Sequence, residues 1–467
     1  MMDLKNKKVL VVGLGKSGLA AALFLRRRGA QVTVSDVRSA DQLAKEIPAL
    51  IEQGIMVETG GHGLLTFRRQ DLIVVSPGVP MDTPELAQVK SFGLPVIGEL
   101  ELAGRFLKGK ILAVTGSNGK TTTTTLLGEI LAAGGLPTLV GGNIGVPVVS
   151  LIDSSTNESW SVLEVSSFQL ETTEQFHPSI AVILNITPDH LDRHGSFENY
   201  VRIKERIFAA QTAEDCLVLN ADNTPCEAAA ARSKAKVYWF SIEHPVPQGA
   251  WLESGYVVYR SAKNAPTEKV MLLSGIPLKG EHNVENVLAA VVAARLAGAP
   301  SDRSSSQGWL AGVPADVIRR AVEKFQAVEH RLEFVAKING VEFYNDSKAT
   351  NVDATAKAIA AFSGGIHLIL GGKDKGSDYT QLSDLLRARV SAVYTIGAAA
   401  AKIESHLRGV VTIQSCETLD KAVAAAAAAA RPGEVVVLAP ACSSYDQFEN
   451  YEQRGTVFKQ LVKQLKD

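Results

Sequence analysis

Residues 114–122 read Val114-Thr-Gly-Ser-Asn-Gly-Lys-Thr-Thr122. The apolar run Ile111-Leu-Ala-Val114 leading into them suits a buried strand, and Thr121 to Ala133 carries a helical pattern. A glycine turn between strand and helix makes a phosphate cradle. Backbone N–H groups converge on the anion, and the helix N-terminus adds partial positive charge. Lys120 can neutralise phosphate oxygens there, and the Thr121 hydroxyl can hold Mg²⁺. The common form of such a loop has one more glycine, at the place of Val114. This chain has the tighter Thr-Gly-x-x-Gly-Lys-Thr-Thr.

The rest of the chain is large for one core. At 467 residues about three domains are expected. Apolar residues at 46% and charged residues at 21% fit a soluble globular protein. A net charge of −1 gives no global electrostatic case for nucleic acid or an anionic membrane. Cys216, Cys226, Cys416 and Cys442 lack metal-ligand spacing and fit reduced thiols of a cytoplasmic protein. No signal peptide precedes the first strand, and no apolar run is long enough to span a bilayer. A cytoplasmic monomer without membrane insertion is the expectation.

Upstream of the loop, Lys7 to Val12 is a β run. Gly13-Leu-Gly15-Lys-Ser-Gly18, a helix from Leu19 to Arg28 and a strand Gln31 to Asp36 follow. This is the dinucleotide fingerprint in context, with an acid at the end of the second strand. It fits NAD, and it fits a UDP-sugar equally, since both offer a diphosphate to the helix and donors to Asp36. Ser76-Pro-Gly78 ends a further strand, where open α/β sheets bind ligands. The first domain is placed at residues 1–98.

Downstream, Gly141-Gly-Asn143-Ile-Gly145 reads as a glycine-rich turn. Glu164 lies among apolar residues of the strand Ser161 to Val165, a costly place for a carboxylate unless a cation is near. Mg²⁺ on Thr121 would supply one. After the strand ending at Ile186 comes Thr187-Pro-Asp189-His190-Leu-Asp192-Arg-His194, which suits a second divalent ion or a polar loop with a helix cap. Phe197 to Gln211 reads as an amphipathic helix, on which Lys204 by itself is a surface lysine. Trp251 to Arg260 reads as a hairpin. Asn283 and Asn286 share one helical face, fit either to read a base or phosphate or simply to cap the helix. Ser301 to Pro314, with Ser304 to Ser306, reads as a mobile surface loop. The second domain spans 99–327.

The third domain, 328–467, opens with a hairpin signal at Asn339-Gly340. Asn345-Asp-Ser-Lys-Ala-Thr-Asn351 then leads into a helix, and strands and helices alternate through Ala441-Cys-Ser-Ser444-Tyr445-Asp446 to a terminal helix. The fold class is α/β in three domains, each a mostly parallel sheet: Rossmann-like, phosphate-loop and Rossmann-like. Linked domains around one site suggest hinges near Gly98 and Val328.

Together these motifs resemble the Mur ligases, in the branch that adds D-glutamate to UDP-N-acetylmuramoyl-L-alanine during peptidoglycan precursor synthesis. The resemblance covers nearly the whole chain. It rests on Thr115 to Thr122, Ser166-Ser-Phe-Gln-Leu-Glu171, Asn345 to Asn351, and Asp446-Gln-Phe448 with Gln453-Arg-Gly455. It implies an ATP-dependent ligase forming an amide through an acyl phosphate. It also implies ATP around Thr115, Gly116, Ser117, Asn118, Gly119, Lys120, Thr121, Asn283, Asn286, Arg331 and Asp346. Two Mg²⁺ ions would lie on Thr121, Glu164, His190 and a carbamylated Lys204. Lys120, Glu164, His190 and Lys204 are the implied catalytic set. The UDP-sugar would take Lys16, Ser17, Asp36, Arg38, Ser76, Gly78 and Asn143. D-Glutamate would take Lys348, Thr350, Lys375, Ser444 and Tyr451. Tyr451 stands where the family pattern has Phe, and Tyr445 where Leu is common. Alternatives are another Mur-type or folylpolyglutamate-type ligase, or an NAD-dependent oxidoreductase. The folylpolyglutamate enzymes lack the first domain, and the oxidoreductase leaves Lys120, Glu164 and His190 idle.

Overall fold

A computed structural model describes residues 2–298, 312–326 and 328–465. Positions 301–311 of the expected surface loop, with Ser304 to Ser306, lie outside the described residues. Among the described residues no helix is long and apolar enough to cross a membrane. The chain forms two compact units. The first comprises Met1–Ile186, Arg193–Leu272 and Val287–Val322, and the second Thr187–Asp192, Leu273–Asn286 and Glu323–Asp467.

The first unit holds two sheets. Strands β1 (Lys8–Val12), β2 (Gln31–Asp36), β3 (Met56–Thr59), β4 (Leu72–Val75) and β5 (Val96–Gly98) form a parallel sheet in the order β3-β2-β1-β4-β5. The continuous apolar run of β1 is what a central parallel strand covered on both faces requires. Strand order reverses beside β1, so a crevice opens at its C-terminal end. The helix Lys16–Arg27 starts there, a full turn sooner than its sequence pattern implies. It packs so close that a Cβ on Gly18 would stand 1.9 Å from the Gly13 carbonyl oxygen, so only glycine fits.

The second sheet contains β6 (Lys110–Thr115), β7 (Thr138–Gly142), β8 (Trp160–Glu164), β9 (Ile180–Ile183), β10 (Cys216–Asn220), β11 (Lys236–Ser241), β12 (Gly249–Glu253), β13 (Tyr256–Arg260) and β14 (Glu268–Leu272). Their order is β14-β13-β12-β11-β10-β9-β6-β8-β7, parallel except for the β12–β13 hairpin and its neighbour β14. The hairpin matches expectation. The expected glycine-rich turn at Gly141–Gly145 begins later: Gly141 and Gly142 finish β7, and the chain bends at 143–146, with Gly142 N donating to the Val146 carbonyl at 2.8 Å. Gly142 lies opposite Glu164, so near that a Cβ would be 2.2 Å from the Glu164 carbonyl oxygen. Glycine here serves close approach of two strands rather than a bend.

The supposed hinge at Gly98 is instead a packed junction within this unit. The helix Glu99–Gly104 follows β5 directly. Glu99 Oε1 accepts from Val149 N at 2.7 Å, and the Glu101 carboxylate accepts from the backbone N–H groups of Glu174, Gln175 and Phe176. Such buried hydrogen bonds fix a joint.

The second unit carries β15 (Glu333–Ile338), β16 (Val341–Asn345), β17 (Ile366–Gly371), β18 (Val390–Ile396), β19 (Ile413–Glu417) and β20 (Val435–Leu438) in the order β15-β16-β20-β17-β18-β19. The expected β15–β16 hairpin is antiparallel, and the other pairs are parallel. The segment after β16 does not enter its helix at once. Asn351 caps the helix Val352–Ala360 by accepting from Ala354 N, which leaves Asp346 to Thr350 as a loop at the strand end.

Candidate active site

Strand β6 delivers the first unit's phosphate loop. Gly119, at φ 85°, caps the helix Lys120–Ala133. Asn185, just past β9, splints the loop: Ser117 N donates to its carbonyl and Asn118 N to its side-chain oxygen, each at 2.9 Å. The sequence offered no signal for this, because an Asn after an apolar strand looks like any loop residue. Lys120 Nζ donates to the Gly116 and Ser117 carbonyls, both at 2.9 Å.

Lys204 is not a surface lysine. It is 1% exposed, its Nζ donates to the same Gly116 carbonyl at 2.8 Å, and it lies 4.7 Å from the Tyr200 ring centre. Tyr200 and Lys204 are four residues apart, so they share the inward face of the helix Phe197–Glu205. This helix is shorter than expected and gives way to a 3₁₀ turn at Arg206–Phe208. Two ammonium groups therefore meet at one carbonyl oxygen of the phosphate loop.

Glu164 ends β8, paired with Val114 on one side and Gly142 on the other. The register sets it beside the start of the loop, and it is 1% exposed. Asn143 Nδ2 donates to its Oε1 at 2.9 Å. A buried carboxylate and the buried Thr121 hydroxyl are the all-oxygen donors that Mg²⁺ prefers, and they fit that ion.

Asn143 also lines a cleft of about 820 Å³ at the C-terminal end of the first sheet. The cleft gathers all seven residues expected around a UDP-sugar: Lys16, Ser17, Asp36, Arg38, Ser76, Gly78 and Asn143. Asp36 Oδ1 accepts from the backbone N and Nε of Arg38, and Oδ2 from Leu14 N at 2.6 Å and Arg38 Nη2 at 2.9 Å. Burial alone would raise the Asp36 pKa, but the Arg38 and Leu14 bonds outweigh it and hold it at about 2. With four donors its lone pairs are filled, so its visible task is to shape the loop and aim Arg38. His62 lines the cleft too, with Nδ1 2.7 Å from the Ser35 hydroxyl. It went unnoticed because β3 is a short, half-polar edge strand with a weak sequence pattern.

The cluster Asp189-His190-Asp192-His194 does not form one set of metal ligands. Among the described residues no group of three or more His, Cys, Asp or Glu converges as a metal site. His194 belongs to the first unit, where Nε2 meets the Ser167 hydroxyl at 3.0 Å and Nδ1 lies 3.2 Å from Glu171. Arg193 there grips Glu171 with two bonds and donates to the Val79 carbonyl at 2.9 Å, steadying the cleft wall. Burial would raise the Glu171 pKa, but His194 and Arg193 carry it below the usual range.

In the second unit His190 takes a left-handed backbone, φ 52°, and its N–H donates to Asp189 Oδ1 at 2.9 Å. A non-glycine residue so held is strained, a feature that clusters at functional sites. Asn351 Nδ2 donates to Asp189 Oδ2 at 2.9 Å, and Lys375 Nζ lies 3.9 Å from Oδ1. These four line a cleft of about 460 Å³. Lys348 Nζ sits 5.2 Å from the Tyr451 ring centre, and Ser444 is buried at the loop after β20. Thr350, two residues after Lys348, is half-buried. Burial pushes Asp346 up to about 6 against the opposing charge of Arg331. Asn286 donates to Asn283, which donates to the Lys279 carbonyl, so both amides also serve the helix start.

Family models match most of the chain. The MurD-like N-terminal domain of Mur ligases matches residues 7–98, the Mur ligase middle domain 114–294, and the Mur ligase glutamate ligase domain 330–442. The chain is 68% identical over 461 residues to a UDP-N-acetylmuramoylalanine–D-glutamate ligase of Acidobacterium capsulatum, covering 99% of this chain and 97% of that one. It is 56% identical over 464 residues to the ligase of the same name from Koribacter versatilis, covering 99% of each. Among solved structures, a pseudomurein peptide ligase type C of Methanothermus fervidus superposes with a TM-score of 0.60 at 20% identity, covering 99% of this chain and 100% of that one. At that identity the likeness speaks for the fold.

Proposed function

This chain belongs to the Mur ligase family, and from that membership we propose that it joins D-glutamate to UDP-N-acetylmuramoyl-L-alanine at the expense of ATP. The UDP-sugar lies in the cleft of the first sheet, with its diphosphate at the start of the helix Lys16–Arg27 and Arg38 beside the nucleoside. ATP would take the Thr115–Thr121 loop, and the family pattern assigns Asn283, Asn286, Arg331 and Asp346 to ATP as well. The alanyl carboxylate takes the γ-phosphoryl group, giving an acyl phosphate and ADP. The amine of D-glutamate, held by Lys348, Thr350, Lys375, Ser444 and Tyr451, attacks the acyl carbon. Phosphate leaves as the amide forms and the nitrogen gives up a proton. The protein contributes position and charge rather than covalent chemistry.

The observation that carries this reading is the convergence of Lys120 and Lys204 on the Gly116 carbonyl, with Glu164 in register beside the loop. Thr121 and Glu164 would hold one Mg²⁺, which supplies charge neutralisation for the phosphates. In the family pattern His190 and Lys204 belong to a second ion. Two ammonium groups on one oxygen repel each other. A carbamate on Lys204 would exchange one of them for an oxygen-bearing anion that Lys120 and a cation both attract. Asn143 would link the two substrates, since it faces the UDP-sugar cleft and bonds Glu164.

Three functional domains, 1–98, 99–327 and 328–467, in a cytoplasmic monomer complete the proposal. Phosphate release measured with ATP, Mg²⁺, UDP-N-acetylmuramoyl-L-alanine and single amino acids tests it. D-Glutamate should exceed L-glutamate, L-lysine and diaminopimelate by a wide margin. Preference for any of the others overturns the assignment.

A further inference from the structure

One partly buried network in the second unit plays no part in the chemistry above. Strand β17 ends at Gly371 and leads into Gly372-Lys373-Asp374-Lys375-Gly376, and β20 ends at Leu438 and leads into Cys442-Ser443-Ser444. The two segments touch at the backbone. Lys373 N donates to the Ser443 carbonyl at 2.8 Å, and Ser443 N and Oγ donate to the Lys373 carbonyl at 3.2 and 3.0 Å.

Beneath that bridge lies a chain of side chains. Asp374 Oδ2 accepts from Lys402 Nζ at 2.7 Å, while Oδ1 accepts from the Tyr379 hydroxyl at 2.7 Å and from Ser377 N at 3.1 Å. The same Tyr379 oxygen lies 3.0 Å from Cys442 Sγ. Tyr379 and Cys442 are both fully buried. Burial raises the pKa of the phenol above its ordinary value and pushes the thiol up to about 11, so both keep their protons. The Asp374 carboxylate can only accept. The phenol must then donate to Asp374, and the thiol donates to the phenol oxygen. The chain runs one way, from S–H through O–H to the carboxylate.

The two ends of this chain matter. One is next to Lys375, which with Gly376, Ser377 and Asp378 lines the second unit's cleft. The other is two residues from Ser444. Resting on the ligase reading above, we propose that Tyr379 is a positioning residue for the amino-acid substrate: its hydroxyl joins the turn that carries Lys375 to the loop that carries Ser444, and so sets the spacing of the groups that grip the acceptor. A hydroxyl bonded on both sides cannot shift toward one segment without losing the other.

Tyr379→Phe removes one oxygen atom and keeps the packing. It is expected to raise KM for D-glutamate about tenfold, while kcat and the KM values for ATP and the UDP-sugar stay within about twofold. Cys442→Ala should move the same KM part of the way, and Cys442→Ser, which keeps an O–H donor, should restore it. A second readout needs no turnover. In Tyr379→Phe the alkylation rate of Cys442, followed by peptide mass spectrometry against Cys416 and Cys226, should rise about tenfold as the segments part. Equal rises in all three KM values, or an unchanged D-glutamate KM, overturn the positioning role. An unchanged labelling rate overturns the coupling of the two segments. A wild-type protein inert toward D-glutamate sinks the ligase reading instead, and the labelling result still decides whether Tyr379 holds the segments together.

Discussion

The Gly13–Gly18 loop and the Gly116–Gly119 loop both leave a central parallel strand and enter a helix, and both end at a point where strand order reverses. Their charges differ. In the first, the acid at the end of β2 is saturated by Arg38 and Leu14, and Lys16 stands in solvent. The charges are settled before any ligand arrives. In the second, two ammonium groups share one carbonyl oxygen, and a buried carboxylate lies in register with the loop's first strand. That arrangement gathers both signs of charge where a polyanion and cations would join it. A phosphate loop built only to hold can rely on backbone N–H groups and a helix end. One built to transfer a phosphoryl group must gather mobile charge around the reacting oxygens.

The sharpest way to break this contrast is to disable each loop in turn. Lys120→Ala should lower kcat about a thousandfold or more, since an aligned charge at the transferring phosphoryl is lost. Calorimetric binding of the UDP-sugar should stay within about twofold. If both fall together, the loops are one site and the contrast is wrong. Gly18→Ala is the converse. Its methyl group would meet the Gly13 carbonyl and the Ser76 hydroxyl, so the first loop must open. UDP-sugar affinity should fall at least about tenfold, with binding of a non-hydrolysable ATP analogue preserved.

A smaller effect is expected at Arg38. Arg38→Met leaves Asp36 without its two side-chain donors but keeps the backbone N–H bonds from Leu14 and Arg38. KM for the UDP-sugar should rise about fivefold to tenfold, and KM for D-glutamate should not move. The Asp36 pKa is depressed in the fold, so its stabilising contribution is present above the ordinary carboxylate value near 4 and is lost only as pH falls through about 2. The wild-type loop should therefore be insensitive to Asp36 titration between pH 5 and 9. Equal UDP-sugar KM values for Arg38→Met and wild type would leave Arg38 as a structural partner only.

The same contrast explains what was legible from sequence. Both loops were readable because glycine spacing, a flanking apolar strand and a helix pattern are local, and all seven residues assigned to the first cleft line it. Residues that act across the fold were harder. Lys204 reads as solvent-facing until the partner of its helix face is known. Asn185 and His62 reach their sites through strand order, which a linear pattern does not contain. Gly141 and Gly142 read as part of the turn that follows them, because glycine permits a bend and a close approach alike. Asp189 and His194 are neighbours in sequence but bond different partners, since the chain passes from the second unit back to the first between them.

The two regions meet at Glu99, and there the comparison can be tested by pH. Glu99 opens the helix after β5, and its Oε1 holds Val149 N from the segment after β7. Its Oε2 is buried and has no hydrogen-bond partner. Burial dominates over the bonds from Val149 and Val148 and raises its pKa to about 7. A raised carboxylate favours the protonated form in the folded state. The Glu99 contribution to stability is thus fully present below pH 4.5, and it is lost as pH climbs through about 7. The loss approaches about 3 kcal/mol, on the order of 1.4 kcal/mol for each pKa unit. Glu99→Gln cannot ionise. Its stability relative to wild type, from urea unfolding, should therefore increase by about 2 kcal/mol between pH 5.5 and 8.5. The buried amide has its own desolvation cost, but that cost is the same at both pH values and cancels in the difference. A gap that stays constant from pH 5.5 to 8.5 would mean that Glu99 is ionised in the fold throughout. The junction between the settled loop and the reactive one would then be held by a charge rather than by a neutral hydrogen bond.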